Sequence, residues 1–279
     1  MNTFKTAMLM ALLTAFLIVI GWAIGGQRMA IIFFIISMGL NLFNYFYSDK
    51  VAIKMTRSYP VTQAESPELY AMVENLTQRA GLPMPRLYVT PTEQPNAFAT
   101  GRNPEHAAIA VTEGIMKMLN RSEIEGVLAH EISHIKNRDI LISTIAAAIA
   151  GAISMIANML QWTLLLGGDD EDNGALGLLA SLATIILAPI AAMLIQMAIS
   201  RSREYQADAD GARIAGSSQG LANALMKMES VARQYPMNIN DSAAHMFIVN
   251  PLKRVSVQKL FSTHPSTQDR IARLQAMQF

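Results

Sequence analysis

Two histidines and a glutamate lie close together in the run His130, Glu131, Ile132, Ser133, His134. Residues four apart on an α-helix share one face and lie about 6 Å apart along the axis. Both imidazoles can then bind one tetrahedral zinc ion, with Glu131 beside it as a general base for bound water. The pattern is typical of metal-dependent hydrolysis of the His-Glu-x-x-His type.

Local signals place this motif on a helix. Ser122 and Glu125 have the spacing of an N-terminal capping box, and apolar residues from Ile124 to Ile135 follow at helical intervals. The chain contains no cysteine, so a third zinc ligand must be a histidine or a carboxylate. The candidates are His106, His245, His264 and a carboxylate; His106 and His245 are interpreted as ordinary histidines.

Glu204 is the carboxylate that the sequence favours as third ligand. It follows an apolar block, just as His134 precedes one, and a hairpin between the two would return both ends to the same side. The alternative is a surface ion pair between Glu204 and a neighbouring arginine. Asp208, one helical turn later, is predicted to accept the second ring proton of a ligand histidine.

The composition indicates a membrane protein. Of 279 residues, 52% are hydrophobic and only 15% are charged, against about a quarter in ordinary soluble domains. A net charge of +1 offers no global attraction for nucleic acid. Four blocks without ionisable residues are long enough to span a bilayer: residues 8–24, 29–47, 140–166 and 175–200. We expect two transmembrane hairpins, residues 1–47 and 140–200, unless the third block is a buried or re-entrant helix.

Basic residues near the ends of these blocks predict the orientation of the chain. Arg28 stands alone on one side, and the other side carries Lys5, Lys50, Lys54, Arg57, Lys136, Arg138, Arg201 and Arg203. The richer side should be cytoplasmic, together with both termini. Residues 48–139 and 201–279 would then form one cytoplasmic domain that the second hairpin interrupts.

Outside the apolar blocks, the pattern predicts a mainly α fold with a small β-sheet. Ser66 and Pro67 begin an amphipathic helix that Gly81 ends. Short apolar runs at 86–89, 96–100 and 107–111 predict strands. A helix around residues 221–232, a polar loop at 235–242 and a last helix after Ser266 complete the domain.

The chain resembles the HtpX family of bacterial membrane-bound zinc metalloproteases, which are related to the eukaryotic CAAX prenyl endopeptidase. The motifs that carry the resemblance are His-Glu-Ile-Ser-His at 130–134, Arg-Glu-Tyr-Gln-Ala-Asp at 203–208, Pro-Asn-Ala-Phe-Ala-Thr-Gly at 95–101, and Ser-Thr-His-Pro at 262–265 with Arg270. The resemblance implies a gluzincin-like protease domain on four membrane helices in the bacterial inner membrane. It also implies quality control of damaged or misfolded membrane proteins, with unfolded polypeptides as substrates and other quality-control proteases as possible partners.

Three further residues are candidates for the site. The strand that contains Asn96 could bind an extended peptide by strand addition, although a strand with no ligand fits the pattern equally well. Pro265 gives His264 an extended backbone, so that its imidazole could stabilise an oxyanion. The resemblance implies that His264 and Arg270 lie near the metal, and both are candidates to stabilise an oxyanion. The alternative for His264 is a structural hydrogen bond to a backbone carbonyl.

A different class of protein also fits a zinc site in a membrane chain. A transporter or a non-catalytic zinc-binding membrane protein would need the ligands but would have no use for Glu131. Transport pathways usually carry ionisable residues inside the membrane, and the four apolar blocks have none. The sequence therefore favours an endopeptidase over a carrier.

Overall fold

The computed structural model describes residues 2–141, 201–234, 248 and 265–279. The third and fourth apolar blocks, the loop predicted at 235–242, His245 and His264 lie outside the described residues. The second predicted hairpin and the division of the chain into domains therefore stay predictions.

The first predicted hairpin is formed by helix α1, Asn2–Met55, which is broken at Gly25 and Gly26. Gly26 has a φ of 63°, a left-handed conformation that glycine adopts without a steric penalty. The two limbs pack side by side: Asn41 Nδ2 in the second limb donates a hydrogen bond of 2.9 Å to Thr14 Oγ1 in the first.

Within the described residues, one helical segment is long and apolar enough to cross a membrane. It runs over Gly25–Tyr47, 23 residues, and almost none of its most apolar stretch is buried. Met10–Val19 in the other limb is a shorter apolar helix. One of the four predicted spans thus meets the length and hydropathy of a membrane helix.

A four-stranded mixed sheet has the order β1-β2-β4-β3. Its strands are β1 at Tyr59–Pro60, β2 at Arg86–Thr90, β3 at Ala97–Thr100 and β4 at Ala108–Thr112. β2 and β4 are parallel, and β3 runs antiparallel to β4 at the edge. The three strands predicted from apolar runs are confirmed within about two residues; the two-residue β1 was not predicted.

Helices surround one central helix, α4. Besides α1 and the 3-10 turn Pro104–His106, the described helices are α2 at Pro67–Ala80, α3 at Glu113–Met118, α4 at Arg121–Lys136, α5 at Arg201–Ala215, α6 at Gln219–Gln234 and α7 at Thr267–Gln275. α4 packs against α2, α5, α6 and β3. The protein is therefore mainly helical with a small mixed sheet, as predicted, and the residues 130–134 lie in the middle of the core.

The cap of α4 differs from the predicted one. Asn120 Oδ1 accepts a hydrogen bond from the Glu123 N–H at 3.0 Å, and Glu123 Oε2 accepts one from the Asn120 N–H at 2.9 Å. The predicted pair, Ser122 and Glu125, is wrong because the helix begins at Arg121, two residues before the start that an N-cap at Ser122 implies. Ser122 already lies in the first turn and donates its hydroxyl to Asn120.

The end of α1 is attached directly to the sheet. Ala52 packs with Phe98 of β3 and Ala110 of β4 in a small buried cluster. Arg86 Nη2 also forms an ion pair of 2.6 Å with Asp49 of α1. The helix that contains the candidate membrane span therefore continues without a break to residues that pack on the edge strand.

Glycines allow the core helices to approach α4 closely. A Cβ at Gly126 of α4 would meet the backbone nitrogen of Leu221 and lie 2.9 Å from its Cα. A Cβ at Gly211 of α5 would lie 2.9 Å from the Cα of His130. Both approaches are backbone contacts, so no side-chain rotation can make room for a methyl group.

We expect Gly126→Ala to destabilise the protein by about 1–3 kcal/mol through overpacking, although alanine is the better helix former by about 1 kcal/mol. Gly39→Ala in α1 is the matched control, because no atom lies within 4 Å of the added Cβ there. Thermal melting of the detergent-solubilised protein measures both. A Gly126→Ala variant that melts at or above the natural protein would contradict this packing.

Candidate active site

Three side chains converge on one point between α4 and α5. The Nε2 atoms of His130 and His134 lie 3.2 Å apart. The Glu204 oxygens lie 3.8 Å and 3.6 Å from those two nitrogens, respectively. All three donor atoms fall within 4.8 Å of one another. Ligands of a tetrahedral ion with bonds of 2.0–2.1 Å are about 3.3 Å apart, so the set fits one metal ion.

Each histidine has a carboxylate behind it. Nδ1 of His130 lies 2.9 Å from Asp208 Oδ1, and Nδ1 of His134 lies 3.1 Å from Asp139 Oδ2. A carboxylate at Nδ1 keeps the ring proton there and leaves the Nε2 lone pair for a metal. Asp208 faces the ring of His130, although Nδ1 of that ring has no well-aligned hydrogen-bond partner among the described residues. The role predicted for Asp208, acceptance of the second ring proton, stays a prediction.

Asp139 was missed by the sequence reasoning. It lies five residues after His134, beyond the end of α4, where no helical spacing relates the two residues. Arg138 between them has a φ of 57°, and this left-handed turn directs the chain back toward the histidine. Arg203 adds a positive charge, with its Nε 3.9 Å from Asp139 Oδ1.

Arg270 contacts Asp208 through two hydrogen bonds. Its Nε and Nη2 donate to the two oxygens of Asp208 at 2.8 Å and 2.7 Å, and the arginine is 1% exposed. Burial raises the pKa of Asp208, but the charge and hydrogen bonds of Arg270 outweigh it and hold that pKa at about 2. Asp208 is therefore anionic throughout the working pH range.

Glu131 is buried beside the histidines and is not one of the converging donors. Its Oε2 accepts a hydrogen bond of 2.8 Å from the backbone N–H of Ala99, in the edge strand. Burial raises the pKa of the Glu131 carboxyl above its ordinary value, and the two histidines offset this only in part. A raised pKa suits a group that must take up and release a proton near neutral pH.

Two of the other predicted residues, Asn96 and Arg270, are buried, and a third, His106, lies on the surface. Asn96 precedes β3 and is 4% exposed, and its side chain accepts a hydrogen bond from the Ile248 N–H. Arg270 lies 3.8 Å from Glu204, within the site but with its guanidinium bound to Asp208. His106 is exposed and contacts Asn103, consistent with an ordinary surface histidine. The oxyanion role predicted for His264 and Arg270 stays a prediction.

A helix that carries two histidines four residues apart, with a glutamate from a second helix beside them, is typical of metal-dependent hydrolases with the His-Glu-x-x-His motif. The model of peptidase family M48 matches residues 63–278, and the chain belongs to that family.

Curated relatives agree with this assignment. The chain is 62% identical over 279 residues to the "Protease HtpX homolog" of Pelotomaculum thermopropionicum, with 99% of both chains covered. It is 54% identical over 271 residues to the protein of the same name from Pyrococcus furiosus, with 97% of this chain and 94% of that one covered. The protein is therefore a metallopeptidase.

The fold also resembles that of a solved structure. The crystal structure of S. mikatae Ste24p superimposes with a TM-score of 0.55 at 17% sequence identity. The match covers 98% of this chain and 65% of that chain. At this identity, the likeness concerns the fold alone.

Metal binding should weaken as the pH falls. Burial lowers the pKa of His134, but the hydrogen bond with Asp139 and the charge of Glu204 outweigh it and raise the pKa to about 9. A metal must displace that proton, so apparent affinity should fall about tenfold per pH unit below pH 9. Competition with a chelating indicator at pH 6.5, 7.5 and 8.5, with zinc as the probe, measures this. An affinity that does not change over that range would contradict it.

Removal of the carboxylate behind His134 should weaken metal binding. We expect Asp139→Ala to reduce zinc affinity about 10–100-fold, because His134 loses the group that orients its ring. Asp210→Ala is the control, since Asp210 contacts Asn137 and Arg213 but none of the converging ligands. Equal affinities of the two variants would show that Asp139 does not support His134.

Proposed function

We propose that this protein is an integral-membrane zinc endopeptidase that hydrolyses damaged or misfolded membrane proteins at the cytoplasmic face of a bacterial inner membrane. The observation that carries the proposal is the position of Glu131, between the metal-ligand set and the edge strand. Glu131 is therefore next to both the place where the metal would bind and the strand along which a peptide substrate would lie.

Zinc is the ion that this donor set suits best, because two imidazoles and one carboxylate in a tetrahedral arrangement leave a fourth position open. His130, His134 and Glu204 would hold it. When bound, zinc polarises a carbonyl and lowers the pKa of a bound water to about 7.

Glu131 handles the protons. The Ala99 N–H fixes one of its oxygens and so orients the carboxylate. The other oxygen is then directed to accept a proton from the attacking water and to deliver it to the leaving amine. The buried carboxyl groups of Asp208 and Asp139 keep the two imidazoles in the tautomer that leaves Nε2 without a proton.

The outer edge of β3, which pairs with no other described strand, supports binding of an extended peptide. Phe98 pairs with Ala110 in the antiparallel ladder, and the backbone groups of alternate residues point the other way. The N–H and C=O groups of Ala97 and Ala99 accordingly point away from β4, and the Ala99 N–H donates to Glu131. A substrate strand added here forms backbone hydrogen bonds that are tolerant of sequence, which suits unfolded polypeptides.

The link between α1 and the sheet supports membrane substrates. Ala52, which packs on Phe98, lies five residues after the end of the candidate span at Tyr47, or about 8 Å along a helix. The excess of basic residues on this side favours the cytoplasm. Extended segments next to the bilayer are therefore the expected substrates, and cooperation with other quality-control proteases belongs to the same proposal.

Glu131→Gln tests the assignment of the base. We expect casein hydrolysis to fall by about 10²–10⁴-fold, because the amide cannot carry the proton, while bound zinc stays near one per chain. Glu125→Gln on the same helix is the control, since Glu125 lies outside the converging ligands. Cleavage rates and metal content should be measured in parallel on detergent-purified protein. A natural protein that holds zinc but does not cut would favour the non-catalytic alternative.

A further inference from the structure

Ile248 is held through both of its backbone polar groups. Its N–H donates to Asn96 Oδ1 at 3.2 Å, and its carbonyl accepts from Arg270 Nη1 at 3.0 Å. Asn96, Ile248 and Arg270 are 4%, 6% and 1% exposed, so these contacts lie where water cannot replace them. We refer to Asn96, Ile248 and Arg270 as the backbone clamp.

One end of the clamp belongs to the edge of the sheet. Asn96 immediately precedes β3, and its own backbone is held by Thr112 of β4. The Thr112 N–H donates to the Asn96 carbonyl at 2.9 Å, and the Asn96 N–H donates to Thr112 Oγ1 at 2.9 Å. The side chain of Asn96 therefore projects from a backbone that is itself fixed.

The other end of the clamp belongs to the metal-ligand set. Arg270 binds both oxygens of Asp208, and Asp208 lies 2.9 Å from Nδ1 of His130. An unbroken series of polar contacts thus runs from the start of the edge strand to a metal ligand.

We propose that Asn96 is a positioning residue that holds the edge strand in place relative to the metal ligands, by accepting the Ile248 N–H with its side-chain oxygen. The inference rests on the proposed function and deepens it. It differs from the expectation that Asn96 serves this site by binding the substrate.

The edge strand needs such a support. β3 has four residues, and among the described residues it pairs with a neighbouring strand on one side only, so no ladder described on its other edge keeps it in register. Ala99, three residues after Asn96, must present its N–H to Glu131. A displacement of about 1 Å at a catalytic group can cost about 100-fold in rate, so the position of β3 matters to the base.

Two substitutions separate the roles of the Asn96 amide. Asn96→Asp keeps the oxygen that accepts the Ile248 N–H and removes the amide donor. Asn96→Leu has nearly the same shape and removes both groups. If Asn96 acts through Ile248, the aspartate variant rescues most of what the leucine variant loses; if it donates to the substrate, both variants fail alike.

The experiment uses the full chain in detergent with a fluorogenic peptide. Asn96→Leu should lower kcat about 10–100-fold with bound zinc retained, and Asn96→Asp should recover to within about threefold of the natural protein. Amide hydrogen exchange at Ile248 should accelerate at least about tenfold in the leucine variant and little in the aspartate variant.

Equal losses in the two variants, expressed in KM, would overturn the proposal, as would unchanged exchange at Ile248 in Asn96→Leu. If Asn96→Leu does not fold, Asn96→Ala replaces it with the same expected results. Exchange at Ile248 does not depend on catalysis. A natural protein that cleaves no peptide would therefore count against the proposed function, and the exchange data would still decide the role of Asn96.

Discussion

A buried ion pair between Arg270 and Asp208 is the interaction on which the catalytic centre depends. Each group alone would be an uncompensated charge in the core, and removal of one partner of such a pair typically costs about 3–5 kcal/mol. Asp208 faces His130, and Arg270 holds Ile248. The pair therefore joins α7 to α5 and places both against His130 of α4 and the backbone of Ile248.

The same centre requires helices that lie unusually close together. Glu204 and Asp208 are on α5 and their targets are on α4, so a wider separation would draw both carboxylates away from the histidines. Gly211 permits the approach, because its missing side chain leaves room for the backbone of His130. Backbone packing of this kind sets ligand distances more rigidly than side-chain contacts can, since neither helix has a rotamer to adjust.

Much of the site could be predicted because it depends on periodicity and residue chemistry. His130, His134 and Glu204 converge as their spacing and the absence of cysteine indicate. Asp139 could not be predicted in the same way, because a left-handed turn at a non-glycine residue brings it back to His134. The hydrogen bond from the Ala99 N–H to Glu131 could not be predicted for another reason. Its donor is a backbone group, and a sequence does not reveal which edge of a strand is left unpaired. The cap of α4 shows that a motif with the right spacing can be shifted by two residues.

The direct contact between α1 and β3 has a geometrical consequence. No flexible linker separates the candidate span from the strand beside the base, because one continuous helix carries Tyr47 and Ala52 to Phe98. With the span placed in a bilayer as proposed, the scissile position stands at a constant height above the lipid surface. The number of residues between a substrate's membrane anchor and the cleaved bond would then be nearly constant from one substrate to another.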